Sequence, residues 1–228
     1  MSELVVPSRF RGPARSGNGG WSAGALAALA PWPVVTVRLS APPPLEAPMP
    51  VAEVDGALVA SYDGSEVLRA TEGDHEPEPV APVPAEQARA AEARYPGLAH
   101  HPFPTCFVCG TGREPGDGLR IFSGPLDGVG RSAATWTPSD TSPAIAWAAL
   151  DCPGAWAADI GERLMVLGTM TARVDRLPEV GAAHVVVGEK RGEQGRRTMT
   201  ATSLYDADGA LVGAAEQVWI SVDAAAFS

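Results

Sequence analysis

An apolar run from Trp21 to Ala27 follows Asn18-Gly19-Gly20, so the paired glycines open a helix whose positive end carries free backbone N–H groups. The same ten-residue frame recurs at Ser142-Pro143-Ala144-Ile145-Ala146-Trp147-Ala148-Ala149-Leu150-Asp151. There the glycines are gone, and the last position, Ala27 in the first copy, is a carboxylate. The pattern predicts two helices, near Gly20 to Leu29 and Ala144 to Ala158, one offering donors and the other an acid. Each is followed by a strand, Val35 to Leu39 in one case and Leu167 to Val174 in the other.

Further strands are expected at Pro50 to Val54 and Ala183 to Gly188. Apolar-alternating runs then flank two Asp-Gly pairs: Ala57 to Tyr62 turns at Asp63-Gly64 into Val67 to Thr71, and Thr198 to Tyr205 turns at Asp208-Gly209 into Ala210 to Ile220. An Asp-Gly pair between such runs is a strong hairpin signal. The two halves therefore repeat one order of elements at low identity. Between them, Glu76-Pro77-Glu78-Pro79-Val80-Ala81-Pro82-Val83-Pro84 is proline-rich and acidic and reads as an extended, stiff linker. A short helix over Ala85 to Tyr95 should follow it and stop at Pro96-Gly97.

This order resembles the hotdog fold, in which a curved antiparallel sheet wraps a central helix, and two copies imply an α+β double hotdog. Its expected divisions are 1–75 for the first repeat, 76–104 for the linker and 105–228 for the second repeat. The first half is similar to acyl-CoA thioesterases of the second type, whose G-G-x-x-x-G-x-A/L helix start is matched by Gly19, Gly20, Gly24 and Leu26. The second half, with Cys106-Phe107-Val108-Cys109-Gly110, Gly116-Asp117-Gly118-Leu119-Arg120 and Trp147 through Gly154, resembles uncharacterised members of the thioesterase superfamily. The resemblance implies hydrolysis of an acyl thioester between the repeats. Coenzyme A would be part of the substrate, and no retained cofactor is expected.

Length and charge narrow the rest. A chain of 228 residues exceeds the usual single-domain length, in keeping with two small units sharing one interface. A formal charge of −10 without a lysine- or arginine-rich run opposes binding to nucleic acid or to an anionic membrane. The amino terminus lacks a signal-peptide core, and Trp21 to Val37 is interrupted by Pro31 and Pro33, so a cytoplasmic protein is expected. Three cysteines argue against a disulfide framework. The number of chains in an assembly is left open, and an oligomer of double-hotdog units is compatible with the reading.

Among candidate site residues, Gly19 or Gly20 would polarise a thioester carbonyl, and Asn18 belongs to the same helix start. Gly24 would admit an acyl chain or the facing helix, with Trp21 and Trp147 beside the acyl path, which would run past Trp21 and Leu26. Donor and acid in hotdog thioesterases commonly face each other from different repeats, which assigns Asp151 as general base or nucleophile. The competing role for Asp151 is a helix cap, because Pro153-Gly154 follow. The type-two enzymes use an Asp/Thr/Gln set, of which Gln217 is the one clear counterpart, a candidate for holding water. Met170 and threonines stand where the aspartate is expected.

Arg11, with Arg9 and Arg15, and Arg120, with Arg113, are suited to the phosphates of coenzyme A. Gly20-Trp21-Ser22-Ala23-Gly24 fits the G-x-S-x-G pattern without the strand a nucleophile elbow needs. Cys106 and Cys109, with His100, His101 and Cys152 as companions, could hold zinc. No second matching pair exists, so the expectation is no metal. His75 and His184 show no partner in the sequence, and no Asp and His five residues apart suggest a hotdog hydratase. The alternative from another class is a non-catalytic protein that binds acyl-CoA or a small ligand on the same scaffold.

Overall fold

The computed structural model describes residues 2–128 and 130–223. Eleven strands form one sheet: β1 (Ser2–Val5), β2 (Val34–Leu39), β3 (Pro48–Val54), β4 (Ala57–Tyr62), β5 (Ser65–Glu72), β6 (Gly124–Pro125), β7 (Arg131–Trp136), β8 (Met165–Val174), β9 (His184–Gln194), β10 (Arg197–Tyr205) and β11 (Leu211–Ser221). Their spatial order is β1-β3-β4-β5-β2-β8-β11-β10-β9-β7-β6, and every neighbouring pair is antiparallel. Among the described residues four α-helices accompany it: α1 (Gly19–Ala27), α2 (Ala85–Glu92), α3 (Pro143–Ala149) and α4 (Cys152–Ala157).

Turn chemistry sets the hairpin registers. Asp63 and Gly64 both have positive φ, 49° and 74°, the left-handed pair that suits a two-residue connection between right-twisted strands. Asp55-Gly56, at 52° and 75°, repeats it between β3 and β4. The Asp208-Gly209 turn is built differently. Only Gly209 is left-handed, and Asp206 Oδ1 accepts the N–H groups of Asp208 and Ala210, so a wider loop shifts the β10–β11 register at Leu204/Tyr205.

The seam between the chain's two halves is the pair β2–β8, where Thr36 faces Thr171 and their hydroxyls lie 2.8 Å apart. On one side of the sheet α1 lies antiparallel against α3: a Cβ added to Gly20 would stand 2.5 Å from Asp151 Cβ, and one added to Gly24 would stand 2.5 Å from Trp147 Cβ. Only glycine permits so close an approach. Around this contact gathers the main core, including Leu26, Val37, Leu68, Leu150, Met165, Met170 and Trp219.

One expectation needs adjustment, and the linker shows a packing role. The single helix expected over Ala144 to Ala158 is two, broken at Leu150 and Asp151, because Pro153 lacks an N–H and its ring crowds the carbonyl four residues back. The linker does not stand free. Val80 is fully buried, its carbonyl accepts from Tyr205 Oη and its N–H donates to Ser203 Oγ (2.9 Å). With Ala88 and Ala91 of α2 it covers Ala133, Val185, Val187 and Ala201 on the sheet face opposite α4, as strand alternation allows.

Candidate active site

Asn18 and Ser142 begin their helices in the same way. Asn18 Oδ1 accepts the N–H of Trp21 (2.8 Å), and Ser142 Oγ accepts that of Ile145 (3.2 Å), each three residues on. The correspondence of the two frames therefore extends to their caps. Because α1 and α3 run antiparallel, the start of α1 meets the end of α3. Asp151 sits there, and one of its oxygens, Oδ2, accepts from Asn18 Nδ2 (2.8 Å) and from the N–H of Gly20 (3.1 Å). Asp151 precedes α4, yet its side chain makes no capping bond to that helix. The carboxylate is committed to α1 instead.

Its second oxygen, Oδ1, is buried without a hydrogen-bond partner among the described residues, and Asp151 is 2 % exposed. An unpaired oxygen of this kind is costly to bury and is a common mark of a site with work to do. Burial pushes the carboxyl up to about 7; the Gly20 N–H pulls it down, the neighbouring Cys106 adds to the rise, and the Asn18 amide opposes it.

Asn18, Gly19 and Asp151 wall a cavity of about 240 Å³ whose remaining surface is largely apolar, with Trp156, Met165, Leu167 and Trp219. As the first residue of α1, Gly19 has no acceptor for its N–H within the helix. A Cβ there would collide with the Leu167 side chain at 2.9 Å. Cys106, Cys109 and Cys152 line the same cavity, all buried, with their sulfurs within 4.8 Å of one another. Thus Cys152, separated from the C-x-x-C pair in sequence, joins it in space. His101 lines the cavity too, its ring nitrogens taken up by the Cys109 carbonyl (3.0 Å) and the Phe103 N–H (2.9 Å), whereas His100 is exposed.

Gln217 lies just behind this site. Its Nε2 donates to the carbonyl of Leu150 (2.7 Å) and to Thr202 Oγ1 (3.1 Å), and its Oε1 accepts from Thr200 Oγ1 (2.7 Å). Fully satisfied, it fixes the end of α3 one residue before Asp151. Thr200 and Thr202 escaped the sequence reading, although Thr200 and Gln217 are cross-strand partners at equal distance from the Asp208-Gly209 turn. Counting outward from that turn identifies the pair. Gln217's partner on its other side is the buried Met170, so no carboxylate stands there.

Other candidates fall elsewhere. Trp21 stacks on Phe10, with ring centroids 4.2 Å apart, and Trp147, Gly24 and Leu26 serve the helix contact and the core, so none of them walls the cavity. Arg11 donates to the Ser8 carbonyl (2.8 Å) and shares a second, more open depression with Arg9 and Arg113. Arg120 is turned away from it, donating to the Arg113 carbonyl and lying over the Phe122 ring. Ser22 is fully buried inside α1, not at a strand-to-helix elbow. His75 does have partners, Asp74 (2.6 Å) and Glu216 (2.8 Å).

No family model and no curated protein matches the chain. Solved structures do. A hotdog-fold protein of unknown function from Alicyclobacillus acidocaldarius superposes with a TM-score of 0.60 at 15% identity, covering 97% of this chain and 92% of the other. The chain has the hotdog fold. The tesB protein of Mycobacterium avium subsp. paratuberculosis gives 0.58 at 14% identity over 92% of this chain and 89% of its own. An acyl-CoA thioesterase II, TesB2, from Mycobacterium marinum gives 0.55 at 13%, over 96% and 92%. This hotdog sheet is large and antiparallel and carries few helices, and among the described residues no helix is long and apolar enough to cross a membrane.

Proposed function

We propose that the protein hydrolyses an acyl thioester, in the manner of an acyl-CoA thioesterase, between two hotdog repeats at 1–75 and 105–228 joined by the 76–104 segment. The supporting observation is the asymmetry of Asp151: Oδ2 is anchored to Asn18 and Gly20, while Oδ1, buried beside a cavity, has no partner among the described residues. A fixed carboxylate with one unpaired oxygen suits a general base. Water attacks the thioester carbonyl carbon as Asp151 Oδ1 takes its proton. Negative charge gathers on the carbonyl oxygen, which the N–H of Gly19 at the positive helix end would stabilise. The C–S bond then breaks and the thiolate leaves with that proton.

Gln217 acts on this scheme through Leu150 and not by holding water, because all its polar atoms are engaged within the protein. The cavity, about 240 Å³, is smaller than the roughly 300–1,000 Å³ of drug-sized ligand pockets, which favours a short acyl group. Arg9, Arg11 and Arg113 offer the phosphates of coenzyme A a landing place outside it. The protein is taken as cytoplasmic, with no nucleic-acid or membrane partner. A screen of acyl-CoAs of graded chain length, read by thiol release, tests the proposal: turnover of short-chain substrates that disappears in Asp151→Asn supports it. Tight acyl-CoA binding without thiol release would instead identify a binding protein.

A further inference from the structure

The three cysteines lie outside the hydrolytic scheme, which uses no thiol. Cys106 and Cys109 flank a tight loop that closes with Gly110 donating its N–H to the Cys106 carbonyl (2.9 Å), and a Cβ on Gly110 would stand 2.5 Å from that oxygen. Asn18 Nδ2 approaches the sulfur of Cys106 at 3.8 Å.

Cys152 brings the third sulfur from the first residue of α4, with its Sγ 3.8 Å from that of Cys106. Four ligands at the zinc–thiolate bond length of about 2.3 Å place neighbouring sulfurs ~3.8 Å apart along the edge of a tetrahedron. That edge is already present without any bond between the two cysteines. All three sulfurs fall within 4.8 Å of one another and all three residues line the cavity, so a fourth position opens onto space where water can enter.

We propose that Cys106, Cys109 and Cys152 bind one zinc ion as thiolates, with a water from the cavity as fourth ligand. Three S–H protons are released to solvent as three Zn–S bonds form, and no oxidant is required. The ion ties the 106–110 loop to the start of α4 and so braces the break that presents Asp151. The site is independent of the hydrolytic proposal.

Reduced protein should take up one zinc per chain in competition with a chromophoric chelator. Cobalt(II) in its place should give thiolate charge-transfer bands in the near ultraviolet and the visible absorption of tetrahedral cobalt. Cys152→Ser and Cys109→Ser should each weaken zinc binding by 10-fold or more, and zinc should raise the melting temperature of the parent protein but not of these variants. Asp151→Asn should bind zinc with unchanged stoichiometry, which separates this test from that of hydrolysis. Two results would overturn the site: reduced, folded protein that binds no zinc while three thiols titrate on unfolding, or zinc held equally well by Cys152→Ser. A Cys106–Cys152 disulfide in protein prepared without reductant, re-forming after reduction even with zinc present, would also count against it.

Discussion

Asp151 and Gly20 are joined across the α1–α3 contact, the carboxylate Oδ2 taking the Gly20 N–H at 3.1 Å while Asp151 Cβ leaves no room for a side chain on Gly20. The acid is therefore placed by a helix from the other half of the chain.

Asp151→Asn should lower turnover by ~10² or more while acyl-CoA binding and the fold persist. The amide keeps the shape and can turn its oxygen to Asn18 and Gly20. Loss of the buried charge should leave melting unchanged or slightly raised, since that charge is costly to bury. Steady-state kinetics beside a thermal melt checks both halves; near-normal hydrolysis by the folded variant would reject the base.

Gly20→Ala should destabilise the protein by about 1–3 kcal/mol, because its methyl group meets Asp151 Cβ at 2.5 Å and the Trp147 carbonyl at 2.9 Å. Denaturant unfolding measures the loss. Activity should fall more than stability explains, as the helices part and the Gly20 N–H leaves the carboxylate. Gly56→Ala, facing open space but at positive φ, is the control in which only backbone strain acts.

Much of this site was legible in the sequence as chemistry and less of it as geometry. The complementary frames at Asn18 and Ser142 pointed to two helices and to Asp151 at the far end of one of them, while the matching caps emerged only in the structure. Whether that aspartate capped α4 or faced α1 could not be read, because cap preferences are local while the competing contacts come from residues 131 and 133 positions away. Asp55-Gly56 carried the same hairpin signal as Asp63-Gly64 and went unread. Trp21 and Trp147 are not among the residues that line the cavity, and a large apolar residue beside a glycine can mark helix packing as readily as a ligand path. Cys152 was among the companions named for Cys106 and Cys109, and the start of α4 brings its sulfur to that of Cys106.

Gln217→Met should cost roughly 1–3 kcal/mol for the orphaned Leu150 carbonyl, with a further loss from Thr200 and Thr202. If the glutamine only positions α3, kcat should drop as Asp151 shifts while the affinity for substrate changes little. Urea unfolding and the separation of kcat from KM decide this.

Glu216 and Asp74 favour the charged imidazole of His75 and raise its pKa above the ordinary 6.5. A raised folded-state value means the stabilisation is fully present below about 6.5 and is lost as pH climbs through the raised pKa. Melting temperatures of parent and His75→Gln should differ most in mildly acid solution and converge on the alkaline side. The pair is solvent-exposed, so the difference should be small and shrink with added salt.

The buried Val80 and the helix that follows it give the connecting segment a second occupation. By lying over Ala133, Val185, Val187 and Ala201, it keeps the outer face of β7, β9 and β10 dry with material from the same chain. A second copy seeking to stack on that face would first have to peel away a strap sewn down by Ser203 and Tyr205. A second copy approaching from that side would meet the strap before it met the strands.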